Sequence, residues 1–231
     1  MSIGRFVFLS IVVASLAAAM AVWRGHLEVP RQWNPWAPLD LRDAPNLLTG
    51  HKLRRLQQDR ELCLSVLETA EMRFTPMPDI APEPRCLLEN TVRIERSSAQ
   101  FSAPFRATCH LAAAYALFER HGLQPAAHEV FGQSVARIDH FGSFACRTIA
   151  RSNRLSQHAT ANAFDIAGFR LEDGTRITVA RDWQGEGDAA RFLRRVRDEA
   201  CQVFNITLGP DYNQAHHDHF HVDMGGGRLC R

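Results

Sequence analysis

None of the six cysteines forms a Cys-x-x-Cys pair, so neither a cysteine-built zinc site nor a thioredoxin-like redox motif is written into the chain. Charge imbalance is lacking as well. With 27 basic and 25 acidic residues and a formal net charge of +2, the 231-residue composition gives no case for nucleic-acid binding and none for disorder. There is no internal repeat or low-complexity tract, which leaves one core, or one domain with appendages, as the expected organisation. From Phe6 to Trp23 charge is missing altogether, and Ser10 and Ser15 are the only polar residues. This run lies near the lower limit of the ~17–25 residues that span a bilayer. Ala17-Ala18-Ala19 and Ala19-Met20-Ala21 also offer small-x-small cleavage sites. Residues 1–23 therefore read as a signal peptide or membrane anchor, with residues 6–23 as the membrane contact if uncleaved. Either reading places the body outside the cytoplasm: periplasmic, inner-membrane anchored or secreted.

The cysteines fit that export. Cys63, Cys86, Cys109, Cys146, Cys201 and Cys230 allow up to three disulfides in any of fifteen connectivities. Cys230, next to the end, reads as a pin for the tail, with the helix bearing Cys201 as its expected partner. Residues 24–45 hold Pro30, Pro35, Pro38 and Pro45, and with Trp23, Trp33 and Trp36 they read as an extended tether beside a membrane interface. Residues 46–231 read as one domain. Asp59 is expected to cap a helix carrying Leu62, Val66 and Leu67, and Asp188 a long one carrying Phe192, Val196, Ala200 and Phe204. A helix from Cys109 to Arg120 is expected to break at Gly122 and Pro125. Four prolines predict an irregular Met72–Pro84. Alternation over Val135–Phe141 predicts a strand, and Leu171–Val179 a hairpin turning at Asp173-Gly174. The expected class is α+β, a small mostly antiparallel sheet with packed helices.

Chemistry concentrates in two short stretches, Ser156 to Asp165 and His216 to Asp223, the second holding four of the eleven histidines. They read as a split metal site. On a continuous helix His158 and Asp165 would be about 10 Å apart, too far for one ion, so the segment between them must fold back. Phe164 and Ile166 alternate with Asp165 as in a strand with one face in a core, which turns Asp165 outward. By the same period His219 and His221 share a face opposite Phe220 and Val222.

These residues resemble the D-alanyl-D-alanine carboxypeptidase and murein endopeptidase superfamily of zinc peptidases, whose pattern is Ser-x-His, six residues, Asp, then a distal His-x-His. The closer similarity is to the bacterial extensin-like C-terminal domain family. It runs from about Trp36 to Arg231 through Gly142 to Arg147, His158 to Phe169 and Leu208 to Asn213. Carried over, the pattern implies His158, Asp165 and His221 as zinc ligands in a zinc-peptidase-like core. It implies His219 as the catalytic or water-orienting histidine, His216 as a further active-site histidine, and Arg147 as a contact for substrate carbonyl or carboxylate. Two imidazoles and a carboxylate suit a catalytic zinc with a fourth position open.

Two departures stand out. Many members place glycine where this chain has Ala161, and the Glu that carboxypeptidase relatives place near the last ligand is missing, which favours a histidine-assisted mechanism. The plant extensins' serine-proline repeats are also absent. Asp218 and Asp223 are expected to orient imidazoles, Ser156 to fix the loop before His158, and His217 to lie on the surface. For Arg147 a structural salt bridge competes with substrate contact. The implied activity is zinc-dependent hydrolysis of peptide bonds in peptidoglycan stem peptides or cross-links. A non-catalytic cell-wall binding or scaffold protein, and metal storage by the His216 to His221 cluster, are the competing readings.

Overall fold

The computed structural model describes Ile3–Arg231. Met1 and Ser2, at the head of the expected leader, lie outside the described residues, as do the side chains of Ala19 and Trp23. The chain divides into two compact units, 1–37 and 38–231. In the first, helix α1 (Ile3–Trp23) is the one described helix long and apolar enough to cross a membrane. Its Phe6, Phe8 and Ile11 are exposed. Such a bare apolar rod fits a signal sequence or an anchor. The segment after it is not wholly extended: Arg31–Trp33 forms a 3-10 turn, and the Asn34 side chain accepts hydrogen bonds from the Trp36 and Ala37 amides.

The second unit begins at Pro38, inside the Pro/Trp-rich stretch, because Leu39 and Leu41 are buried in the core. Its helices are α2 (Thr49–Gln58), α3 (Arg60–Leu67), α4 (Cys109–Phe118), α5 (Gln124–Phe131), α6 (Val179–Asp182) and α7 (Asp188–Val203). Its strands are β1 (Arg73–Pro76), β2 (Ile80–Glu83), β3 (Cys86–Leu88), β4 (Thr91–Arg96), β5 (Gln100–Thr108), β6 (Val135–Gly142), β7 (Ala163–Leu171), β8 (Arg176–Thr178), β9 (Ile206–Leu208), β10 (Phe220–Asp223) and β11 (Leu229–Cys230). The fold is α+β, and the sheet is larger than expected. Nine strands run in the order β1-β4-β5-β6-β7-β10-β9-β11, with β8 on β7, while β2 and β3 pair separately. Most pairings are antiparallel; β5–β6 and β9–β11 are parallel.

Every residue of α4 is buried, which makes this alanine-rich helix the axis on which α2, α3 and α7 pack. Phe164 of β7 stacks on Phe105 at 4.3 Å between ring centroids and meets Tyr115 of α4 edge-on at 5.8 Å. Because successive strand side chains alternate, committing Phe164 and Ile166 to this core turns Asp165 to the other face. Phe220 and Val222 do the same for His221. The β7–β10 register places His221 directly opposite Asp165.

Three disulfides pin the body: Cys63–Cys109 ties α3 to α4, Cys86–Cys146 ties β3 to the segment after β6, and Cys201–Cys230 ties α7 to the tail, as expected. They close loops of 46, 60 and 29 residues; each removes about 4 kcal/mol of unfolded-chain freedom in the loop-entropy account. They also fit an oxidising, exported setting.

Several local expectations hold. Asp59 caps α3 by accepting from the Leu62 amide at 2.9 Å, β6 covers Val135–Phe141, and β7 and β8 form the hairpin. Others are corrected. Met72–Pro84 contains β1 and β2, because β1 is an edge strand where Pro76 forfeits no ladder bond and β2 belongs to a separate two-stranded ribbon. Gly122 and Pro125 do not end the α4 helix, which passes through a π-helical turn at Glu119–Leu123 into α5. Pro125 follows the π-helical turn, in which the Gln124 amide bonds the Glu119 carbonyl, and this local widening admits a residue without an N–H. Gly122 lacks the Cβ that would lie 2.7 Å from Glu199 of α7, so it permits helix packing. Asp188 is the first residue of α7 rather than its cap; Gly187 holds the cap position without a side-chain bond.

Candidate metal centre

His158 lies in a 3-10 turn, Gln157–Thr160, whose entry is fixed by the Ser156 hydroxyl accepting from the His158 amide at 3.3 Å. This is the loop-fixing role expected of Ser156. The turn ends at Ala161, with φ at 55° in the left-handed region that favours glycine. The chain thus keeps a glycine-like backbone here without glycine. His158 is 3% exposed, and its Nδ1 donates to the Ser143 carbonyl at 2.8 Å, leaving Nε2 as the lone-pair nitrogen.

His221 is fixed in the complementary way. Its Nε2 bonds the Asp223 carboxylate at 3.0 Å, so Nδ1, which faces Asp165, is the nitrogen that would exchange its proton for a metal. These two nitrogens and the Asp165 carboxylate converge. His158 Nε2 is 3.1 Å from His221 Nδ1 and 3.2 Å from Asp165 Oδ2, while His221 Nδ1 is 2.9 Å from Asp165 Oδ1. Donors roughly 2.0–2.2 Å from a tetrahedral ion sit about 3.3–3.6 Å from one another, so the trio needs only a few tenths of an ångström of expansion to hold one. Two imidazole nitrogens and a carboxylate at this spacing suit a divalent cation in place of the protons they now share.

Electrostatics agree. Burial opposes charge on both His221 and Asp165. Yet hydrogen bonds to Asp165 and Asp223 raise His221 to about 9, and bonds from His158 and His221 hold the Asp165 carboxyl well below the ordinary carboxylate range. The field that stabilises a proton here would stabilise a divalent cation.

His219 stands just before β10. Its Nδ1 bonds Asp218 Oδ1 at 2.8 Å, which aims Nε2 toward Asp165 Oδ1, 3.6 Å away. Asp218 and Asp223 thus orient imidazoles as expected. His216 ends a short turn, Gln214–His216, with Nδ1 held by Asn213 Oδ1 at 2.8 Å. Its ring centroid is 5.3 Å from that of His219 and 5.7 Å from that of His221. Partial burial, then the neighbouring imidazoles of His221 and His219, lower it to about 4. His217 is exposed; its Nδ1 bonds Gln214 O at 2.9 Å and lies 3.8 Å from Asp218 Oδ1.

Arg147 is exposed beside a separate cavity of about 380 Å³ shared with Glu83 and Arg85. Among the described residues it makes no hydrogen bond or salt bridge to the trio; it reaches the cluster only through its charge, felt by His216. The Cys86–Cys146 disulfide anchors the segment bearing both Arg147 and the Ser143 carbonyl. Sequence reasoning missed the orienting roles of Ser143 and Asn213. A main-chain carbonyl leaves no residue-type signal, whereas Asn213, three residues before His216, offered one as a turn-capping side chain.

Comparison with curated proteins and with solved structures finds no match. The family model described as Extensin-like protein C-terminus matches residues 61–231, which take in all six cysteines and the whole histidine–aspartate cluster, and the chain accordingly belongs to that extensin-like family.

Proposed function

We propose that this protein is an exported zinc-dependent peptidase that hydrolyses peptide bonds of bacterial peptidoglycan, in stem peptides or cross-links, akin to the D-alanyl-D-alanine carboxypeptidases and murein endopeptidases. The observation that carries the reading is the convergence of two fixed imidazole nitrogens and one carboxylate, with two further histidines on the same side. His158, Asp165 and His221 would hold the metal, which supplies Lewis acidity and activates water near neutral pH. His219, fixed at Nδ1 by Asp218, presents Nε2 to accept and relay a proton. His216, fixed at Nδ1 by Asn213, presents its other nitrogen to the reacting amide. Arg147 offers a permanent charge for a substrate carboxylate at the rim. The helix α1, cleaved or retained, delivers this site to the periplasm or beyond.

A second reading has its own observation. Asp218 and Asp223 are both engaged with imidazoles, so no free carboxylate stands beside the trio as a base among the described residues. A cell-wall binding or scaffold protein that retains metal without turnover fits that arrangement. Full-length protein should bind about one zinc and release new amine termini from cross-linked muropeptides, and His158→Ala should lose both properties. Cleavage by metal-free protein or by Asp165→Ala would sink the peptidase reading. Stoichiometric zinc with saturable peptidoglycan retention and no cleavage would establish the alternative.

A further inference from the structure

Two cavities in the body lie away from the ligand trio. One of about 540 Å³ and one of about 470 Å³ share four walls, Gln57, His110, Gln157 and Asn162, and neither is lined by His158, Asp165 or His221. Each has the volume of a small-ligand site. Between them stands His110, in the first turn of α4, 4% exposed, whose Nε2 has no hydrogen-bond partner among the described residues.

The walls have a distinct chemistry. Gln57, Gln58, Asn90, Gln157 and Asn162 contribute carboxamides, and Thr108 and Thr160 contribute hydroxyls. Thr108 Oγ1 donates to Asn162 Oδ1 at 3.0 Å and Asn162 Nδ2 to Gln157 Oε1 at 2.6 Å, which fixes the amide row. Gly225 protects it: a Cβ there would fall 2.7 Å from Gln157 Cδ and Nε2. Charged walls are few, namely Arg54, Arg85 and Glu89, and the apolar ones are Leu87 and Met224.

We propose that the two cavities form one groove that binds a neutral oligosaccharide bearing acetamido groups, at a site separate from the metal centre. Carboxamides and hydroxyls both donate and accept, so they match sugar hydroxyls and acetamido groups without ion pairing. A bound peptide strand would require apolar pockets for alternate side chains, and Leu87 and Met224 do not supply a row of them. The groove and the metal site share supports: Gln157 precedes the ligand His158, and Asp223 accepts from the Gly225 amide through Oδ1 while Oδ2 holds His221. The groove needs no metal, so this inference stands apart from the peptidase reading.

The test uses full-length protein in detergent micelles, zinc-loaded or chelator-treated, titrated calorimetrically with the β-1,4-linked tetramer of N-acetylglucosamine and with a neutral tetra-alanine amide. Saturable tetrasaccharide binding is expected in both preparations, weakened by at least about tenfold in Gln57→Ala and Gln58→Ala through loss of wall hydrogen bonds. Gln57 is exposed, so that variant tests the groove without disturbing the core. No saturable binding, equal affinity for the tetra-alanine amide, or undiminished affinity in both variants would overturn the proposal. Retained tetrasaccharide binding by protein that neither holds zinc nor cleaves muropeptides would count against the peptidase reading alone.

Discussion

His110 and His221 are buried to a similar degree, 4% and 9% exposed, yet their surroundings drive them apart: His110 is pushed down to about 4 and His221 up to about 9. Burial opposes the charged ring in both. At His221 the carboxylates of Asp165 and Asp223 overcome it, whereas at His110 a backbone hydrogen bond with Met224 does not. Depth sets the cost of charge, and partners set its sign. The sheet face with Asp165 therefore favours a charged imidazole, while the ring of His110 is held neutral.

The largest effect comes from removing the charge that makes the two regions differ. Asp165→Asn keeps the shape of the trio but deletes its anion, and zinc affinity, measured by competition with a chelating dye, is expected to fall by more than the ~100-fold upper end for loss of an outer partner. Unchanged affinity would mean that the trio does not hold the ion.

At the other pole, His110 should make the protein acid-sensitive. Its unfolded value is near 6.5 and its folded value about 4, so the unfolded chain takes the proton first. The stability is fully present above about pH 6.5 and is lost as pH falls toward 4; the span corresponds to about 3 kcal/mol. Urea midpoints of the native chain and of His110→Phe, compared between pH 7 and pH 4, should diverge by that order, with the variant flatter. Parallel curves would show that His110 is not held neutral by the fold. Asp223→Asn comes next, since Asp223 fixes the tautomer of His221 without being counted among the ligands. A loss of about 10–100-fold in zinc affinity is expected by the same competition assay.

The clustering of His158, Asp165 and His221 was largely legible because strand periodicity is simple. Phe164 and Ile166 demanded the core, so Asp165 had to leave it, and Phe220 and Val222 did the same for His221. What pairs these residues is a register between strands more than fifty positions apart, and only the family pattern pointed to that. The nine-stranded extent of the sheet was not legible, because β1, β9 and β11 are too short to show a period. Gly122 and Pro125 misled for a related reason: their local cost is outweighed by contact with Glu199 and by a π-helical turn that accommodates the proline. The placement of Arg147 on an exposed segment depends on the Cys86–Cys146 disulfide, a connectivity that spacing alone did not select.

Glu119 extends the contrast to an acid and carries the smallest expected effect. It sits on the π-helical turn, 4% exposed, and its Oε1 accepts from the Ser97 hydroxyl at 2.8 Å and the Ala99 amide at 3.0 Å. Burial raises its carboxyl, and those hydrogen bonds only partly restore it; among the described residues no salt bridge supports the charge. Like His110, it is a buried titratable group without a counter-ion, but the sign is reversed. A carboxyl raised in the fold costs stability as pH climbs past its unfolded value near 4.5, whereas a lowered imidazole costs stability as pH falls. Glu119→Gln keeps an acceptor oxygen for Ser97 and Ala99 and removes the ionisation, so it should match the native chain near pH 4 and exceed it in stability at pH 8. Urea midpoints at the two pH values check this. A variant that is weaker at pH 8 would show that the ionised carboxylate is worth more to the turn than burial costs it, and that partners outweigh depth here as they do at His221.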